Sequence, residues 1–108
     1  MIVAGTSAII AIAFAEPERE AFLKAIQPAQ RTLISSVSAI EARMVVRGRR
    51  GRRAVVLLED LLRSPLFEIV PPGPAETAAA YAAFVAFGKG SGHAAGLNFG
   101  DIFSYALA

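Results

Sequence analysis

Arg31-Thr32-Leu33-Ile34-Ser35-Ser36-Val37-Ser38-Ala39-Ile40-Glu41 decides the fold. Arg31–Ser35, with Thr-Leu-Ile at its centre, reads as a strand. Ser38-Ala39-Ile40-Glu41 matches a capping box, a serine followed three residues later by glutamate, and opens a helix. A strand running directly into a helix is the unit from which parallel sheets are built.

The same alternation continues on both sides. Upstream, Ile2–Ala4 reads as a short buried strand, and Gly5-Thr6-Ser7 turns the chain, with Thr6 or Ser7 available to cap the next helix. Glu16-Pro17-Glu18 is a helix start, with proline at an early helical position and acids in the first turn. Its apolar stripe is Ala21, Phe22, Ala25 and Ile26, and Pro28 ends it. Downstream, the arginine-rich stretch with Gly48 and Gly51 breaks the third helix. A fourth carries Val55, Leu58, Leu61 and Leu62 at helical spacing. Phe67–Val70 is a third strand, bounded by Pro71-Pro72-Gly73-Pro74, and Ala75–Phe87 a fifth helix with an alanine face. A glycine loop from Gly88 to Gly96 leads to Asn98-Phe99-Gly100-Asp101, which starts a last helix. The order β-α-α-β-α-α-β-α-α predicts a parallel sheet with helices on both faces. Sites in such folds form at the carboxyl ends of the strands. Gly5 and Glu41 both lie just past a strand, and Asp101 begins a helix that could point into the same crevice.

Composition bounds what this domain does. The 108 residues make one domain with a core large enough to need no staple. Apolar residues are 55% of the chain, and much of that is alanine, which favours closely packed helices. The absence of cysteine excludes disulfides and thiolate metal sites and suits a reducing cytoplasm. Met1–Ala15 is uncharged and ends in an Ala-Phe-Ala pattern, which raises a signal peptide. It lacks the basic start of one and is too short to span a bilayer. A cytoplasmic protein with no membrane partner is the expectation.

Charge is local. The net is +2, yet six arginines, Arg43, Arg47, Arg49, Arg50, Arg52 and Arg53, fall in one stretch. Guanidinium binds phosphate through two parallel hydrogen bonds, so Arg47, Arg49, Arg50, Arg52 and Arg53 are candidate RNA contacts. A solvated interhelical corner or a surface for an acidic protein accounts for the same run. Glu41 and Asp101 are each ordinary first-turn acids by position. They are also the hard oxygen donors that Mg²⁺ and Mn²⁺ prefer, provided that they converge. His93 has no companion His or Cys, which makes a metal role weak. Gly5-Thr6-Ser7 could bind an anion at a helix start but lacks the lysine of a P-loop.

Several segments together resemble a known family. Met1-Ile2-Val3-Ala4-Gly5-Thr6-Ser7-Ala8-Ile9 resembles the opening of PIN-domain ribonucleases of the VapC toxin type. Glu16-Pro17-Glu18 is similar to the start of that family's second helix, and Ser38-Ala39-Ile40-Glu41-Ala42 to its second acidic motif. The most specific match is Gly88-Lys89-Gly90, His93, Leu97-Asn98-Phe99-Gly100-Asp101 and Phe103-Ser104-Tyr105-Ala106-Leu107-Ala108, which resembles the third acidic motif.

The resemblance implies an α/β fold of PIN-like three-layer type, a central parallel sheet flanked by helices. It also implies a Mg²⁺- or Mn²⁺-dependent endoribonuclease and a toxin held by a small antitoxin; the homodimer expected here comes instead from the sheet edge that a missing strand exposes. Glu41 and Asp101 match acidic metal-site positions, and Thr6 or Ser7 the hydroxyl positions beside the first acid. Two departures stand out. Gly5 occupies the position of the first family acid, and the chain ends at Ala108 inside a helix, without the C-terminal strand and helix that follow in the family. Less negative charge holds Mg²⁺ more weakly. The expectation is therefore a single PIN-like domain over residues 1–108, C-terminally truncated, with weak or absent ribonuclease activity and an exposed sheet edge that favours pairing. A catalytically inactive protein that binds an antitoxin or RNA is the alternative.

Overall fold

The computed structural model describes residues 2–29 and 31–108, so Met1 of the opening motif lies outside the described residues. The elements are β1 (Ile2–Val3), α1 (Thr6–Ala13), α2 (Arg19–Ile26), β2 (Thr32–Ser35), α3 (Ser36–Arg50), α4 (Arg52–Leu62), β3 (Glu68–Val70), α5 (Pro74–Phe87) and α6 (Phe99–Leu107). Their order is the one the sequence predicts. The strands form one parallel sheet in the order β1-β2-β3, with Val3 opposite Leu33 and Ser35 opposite Val70.

Every residue of β2 is buried, as a central strand covered on both faces requires. Ile34 on β2, Ile9 on α1, Ala42 on α3 and Leu58 on α4 are all fully enclosed in one core. Burying each large aliphatic side chain of that set stabilises the fold by roughly 1.5–3 kcal/mol. A second, smaller cluster joins Ala80 and Ala83 of α5 to Ile102 of α6, with Leu97, Phe103 and Ala106 against it. The helix α6 packs on α5 and reaches back to β2 and α3. That contact carries Asn98–Asp101 toward the carboxyl end of the sheet.

Four local expectations need correction. The third helix begins at Ser36, because Ser35 caps it: Ser35 Oγ accepts from the Val37 amide at 3.2 Å. Ser38 and Glu41 therefore lie inside the helix and form no capping box. Neither Thr6 nor Ser7 caps α1; its N-cap is Gly5, with no side-chain cap. The helix α2 begins at Arg19, so Glu16-Pro17-Glu18 forms the turn before it. Finally, α3 runs through Gly48 and stops at Gly51, whose φ of 86° breaks the helix in a conformation that suits glycine.

Candidate active site

The parallel register puts the carboxyl ends of β1 and β2 side by side. The Ala4 amide donates to the Leu33 carbonyl at 2.9 Å, and each strand then turns straight into a helix. The starts of α1 and α3 are therefore neighbours at the edge where ligands bind in open α/β sheets. Thr6 projects from the first turn of α1. Ser38 and Glu41, three residues apart on α3, face it from one side of that helix.

A continuous set of polar contacts fills the space between them. Thr6 Oγ1 donates to Glu41 Oε1 at 2.6 Å, and the Ser38 carbonyl lies 3.4 Å from the same hydroxyl. The short bond to the carboxylate takes the single hydroxyl proton and orients Glu41. Ser38 is fully buried, and its Oγ lies 3.0 Å from Ser104 Oγ of α6. Three helices thus meet here through Thr6, Ser38, Glu41 and Ser104.

Gly100 sets how closely α6 approaches. A Cβ built on it would fall 2.7 Å from Glu41 Cδ, nearer than atoms normally pack. Any larger residue at the start of α6 would displace the carboxylate. Gly5 differs. It has φ −92° and ψ 176°, an extended backbone open to any residue, and a Cβ there would sit 3.7 Å from Ser104 Oγ in ordinary contact. A side chain at position 5 would therefore enter the same polar cluster without strain.

The remaining sequence candidates divide clearly. Asp101 is exposed and engaged in a capping box: its Oδ2 accepts from the Asn98 amide at 3.0 Å, while its own amide donates to Asn98 Oδ1 at 3.0 Å. It follows Gly100, which touches Glu41, so it borders the cluster with its carboxylate turned to the helix start. Ser7 is exposed and stands outside the cluster. His93 Nδ1 accepts from the Ala95 amide at 3.0 Å, and its ring packs edge-on against Phe87. Ser104 and Gly100 are the site residues that pattern reading assigned no role. Neither stands out by residue type, and their only sequence signal is position within the Asn98–Tyr105 motif.

The donors suit a hard cation in kind, being carboxylate and hydroxyl oxygens. They are few. Among the described residues no group of three or more His, Cys, Asp or Glu side chains is placed to hold a metal. A site resting on Glu41 and Asp101 carries two negative charges at most.

The arginines also divide. Arg43 pairs with Glu59 of α4 through two hydrogen bonds, one from Nε and one from Nη2 at 3.3 Å. This bond to Glu59 raises the pKa of the Arg43 guanidinium, and the bond from Arg43 lowers that of the Glu59 carboxyl. Arg43 is thus a clasp between α3 and α4. The Arg50 guanidinium lies 4.4 Å from the centre of the Phe14 ring, and its Nη2 is 4.0 Å from Glu16 Oε2. Arg47, Arg49, Arg52 and Arg53 are exposed and have no ion pair among the described residues.

Comparison with known proteins agrees with this architecture. A PIN domain profile matches residues 2–108. Ribonuclease VapC28 of Mycobacterium tuberculosis is 38% identical over 107 residues, covering 99% of this chain and 80% of its own length. Ribonuclease VapC of Mycolicibacterium smegmatis is 36% identical, with 99% and 82% covered. Among solved structures, that of M. tuberculosis VapC20, described as a sarcin-ricin loop cleaving toxin, superposes with a TM-score of 0.74. It is 19% identical and is matched over 99% of this chain and 80% of that one.

Proposed function

The chain belongs to the PIN-domain family, beside the VapC ribonucleases, and on that premise we propose that it is a toxin-type endoribonuclease whose chemistry centres on Glu41. The observation that carries the reading is the Thr6–Glu41 hydrogen bond, which holds a carboxylate at the carboxyl edge of a parallel sheet. The ribonuclease names of its relatives support the reaction class.

Glu41 and Asp101 are the residues that would hold Mg²⁺ or Mn²⁺. When bound, such an ion polarises a phosphodiester oxygen and lowers the pKa of water. The protein's own part is positional. Thr6 keeps the Glu41 carboxylate in one orientation, as partners of ligating carboxylates commonly do. Ser38 and Ser104 tie α6 to α3, which keeps Gly100 against Glu41. Gly5 leaves the cluster one acid short, so the activity of this chain is weak.

Cleavage of RNA with Mn²⁺ tests the reading directly. The chain should cleave slowly, Gly5→Asp faster, and Glu41→Gln not at all, with EDTA abolishing every activity. Cleavage that survives both EDTA and Glu41→Gln would overturn it.

The same shortage of acids favours a second reading, a catalytically inactive PIN-like protein that binds RNA or a small antitoxin. It predicts complex formation with no turnover even in Gly5→Asp. A protein partner suits the exposed apolar side chains Ile40, Met44, Tyr81, Phe84 and Phe99, which a second copy of the chain or an antitoxin would cover. No helix among the described residues is long and apolar enough to cross a membrane.

A further inference from the structure

Two hollows border α3. The first, of about 420 Å³, is lined by Val37, Ile40, Glu41, Met44, Val45 and Phe99. The second, of about 290 Å³, is lined by Ile10, Glu16, Val45, Val46, Arg49 and Arg50. Val45 borders both, so the hollow at the Glu41 carboxylate and the hollow at the arginines near the end of the helix share a wall. Glu41, Val45 and Arg49 are four residues apart in turn and share a helical face. The rise from Glu41 to Arg49 is about 12 Å.

We propose that the Arg49–Arg50 hollow is a phosphate subsite for the RNA strand, a few nucleotides from the phosphodiester at Glu41. The proposal rests on the ribonuclease reading above. Its chemistry is local. Arg50 is held in place by the Phe14 ring, which limits the entropy lost when it binds. Arg49 is exposed beside it with no ion pair among the described residues. The single Glu16 leaves the rim with a net positive charge. The hollow at Glu41 is walled by Val45, Met44 and Phe99, and Met44 and Phe99 are both exposed. A single strand can stack a base on an aromatic ring such as Phe99 while cations follow its phosphates. An acidic protein would also find the arginines, but it gives no reason for them to adjoin the hollow that holds Glu41.

The test is a length series. Binding of a dinucleotide, a tetranucleotide and an octanucleotide of RNA is measured by fluorescence anisotropy in EDTA, so that no strand is cut. The wild-type chain should gain about tenfold in affinity once the strand is long enough to reach the arginines. Arg49→Ala with Arg50→Ala should lose that gain, bind the dinucleotide unchanged, and lower the salt slope by about 1.4, the value for two phosphates of a single strand. The pair Arg52→Ala with Arg53→Ala, which removes the same charge outside the hollow, should keep the length gain. Glu16→Gln should strengthen binding of the long strand alone. Equal loss from both arginine pairs would mean diffuse attraction and would overturn the subsite while leaving RNA binding intact. Absence of binding at every length would remove the ribonuclease reading as well. Binding of an acidic peptide, with no length gain for RNA, would assign the hollow to a protein partner instead.

Discussion

Thr6 Oγ1 donates to Glu41 Oε1 at 2.6 Å, joining the first turn of α1 to the interior of α3 across 35 residues of sequence. Pattern reading gave both residues local jobs, a helix cap and a capping-box partner. The fold gives neither of them that job. Thr6 is free to hold Glu41 because Gly5 and Ser35 occupy the two cap positions.

Thr6→Val keeps the shape of the side chain and removes its proton donor. Cleavage or Mn²⁺ affinity should fall roughly 10–100-fold, the usual effect of losing a partner of a ligating group. Thr6→Ser should restore most of it. Metal titration followed by calorimetry, beside the RNA assay, separates loss of binding from loss of turnover.

Gly5→Asp should gain Mn²⁺-dependent cleavage with no loss of stability. The backbone there is extended and a Cβ meets Ser104 Oγ at 3.7 Å. Aspartate is also a better N-cap than glycine, by a few tenths of a kcal/mol. Thermal unfolding should show an unchanged or slightly higher midpoint, rising further when Mn²⁺ is added.

Gly100→Ala should damage the site more than the fold. The added methyl meets the flexible end of Glu41, which swings away, so the stability cost should stay below about 1 kcal/mol. Metal affinity and cleavage should fall together, because the displaced carboxylate leaves Thr6. An active Gly100→Ala variant would show that the approach of α6 does not control Glu41.

Glu59→Gln should loosen α3 from α4. The Arg43 guanidinium lowers the Glu59 pKa in the folded protein. Its contribution is therefore present above the unfolded value, about 4.3, and is lost as the pH falls through the lower folded value. Both side chains are about a third exposed, at 35% and 29%, so solvent screening keeps the effect near 0.5–1 kcal/mol. Urea unfolding of wild type and variant should differ by that amount at neutral pH and converge in acid.

Much of this molecule is legible along the chain. The order of the elements follows from local rules. Thr32-Leu33-Ile34 is strand, Leu58 and Leu62 stripe a helix, Pro71-Pro72-Gly73 ends a strand, and Asn98 with Asp101 caps a helix. Asp101 behaves as its neighbours dictate. The helix start at Ser36 is not legible along the chain, because three candidate caps, Ser35, Ser36 and Ser38, lie within four residues and only the backbone path selects among them.

The sequence by itself determined the elements and the parallel α/β class. These depend on hydrophobic period, capping and turn chemistry, which act over a few residues. Tertiary structure alone decided that Thr6 binds Glu41, that buried Ser38 meets Ser104, that Gly100 must stay small, and that Arg43 serves as a clasp while Arg49 and Arg50 line a hollow. Each of these depends on where two distant helices come to rest. That distance is set by the packing of the whole core around Ile9, Ile34 and Leu58, which no local pattern encodes.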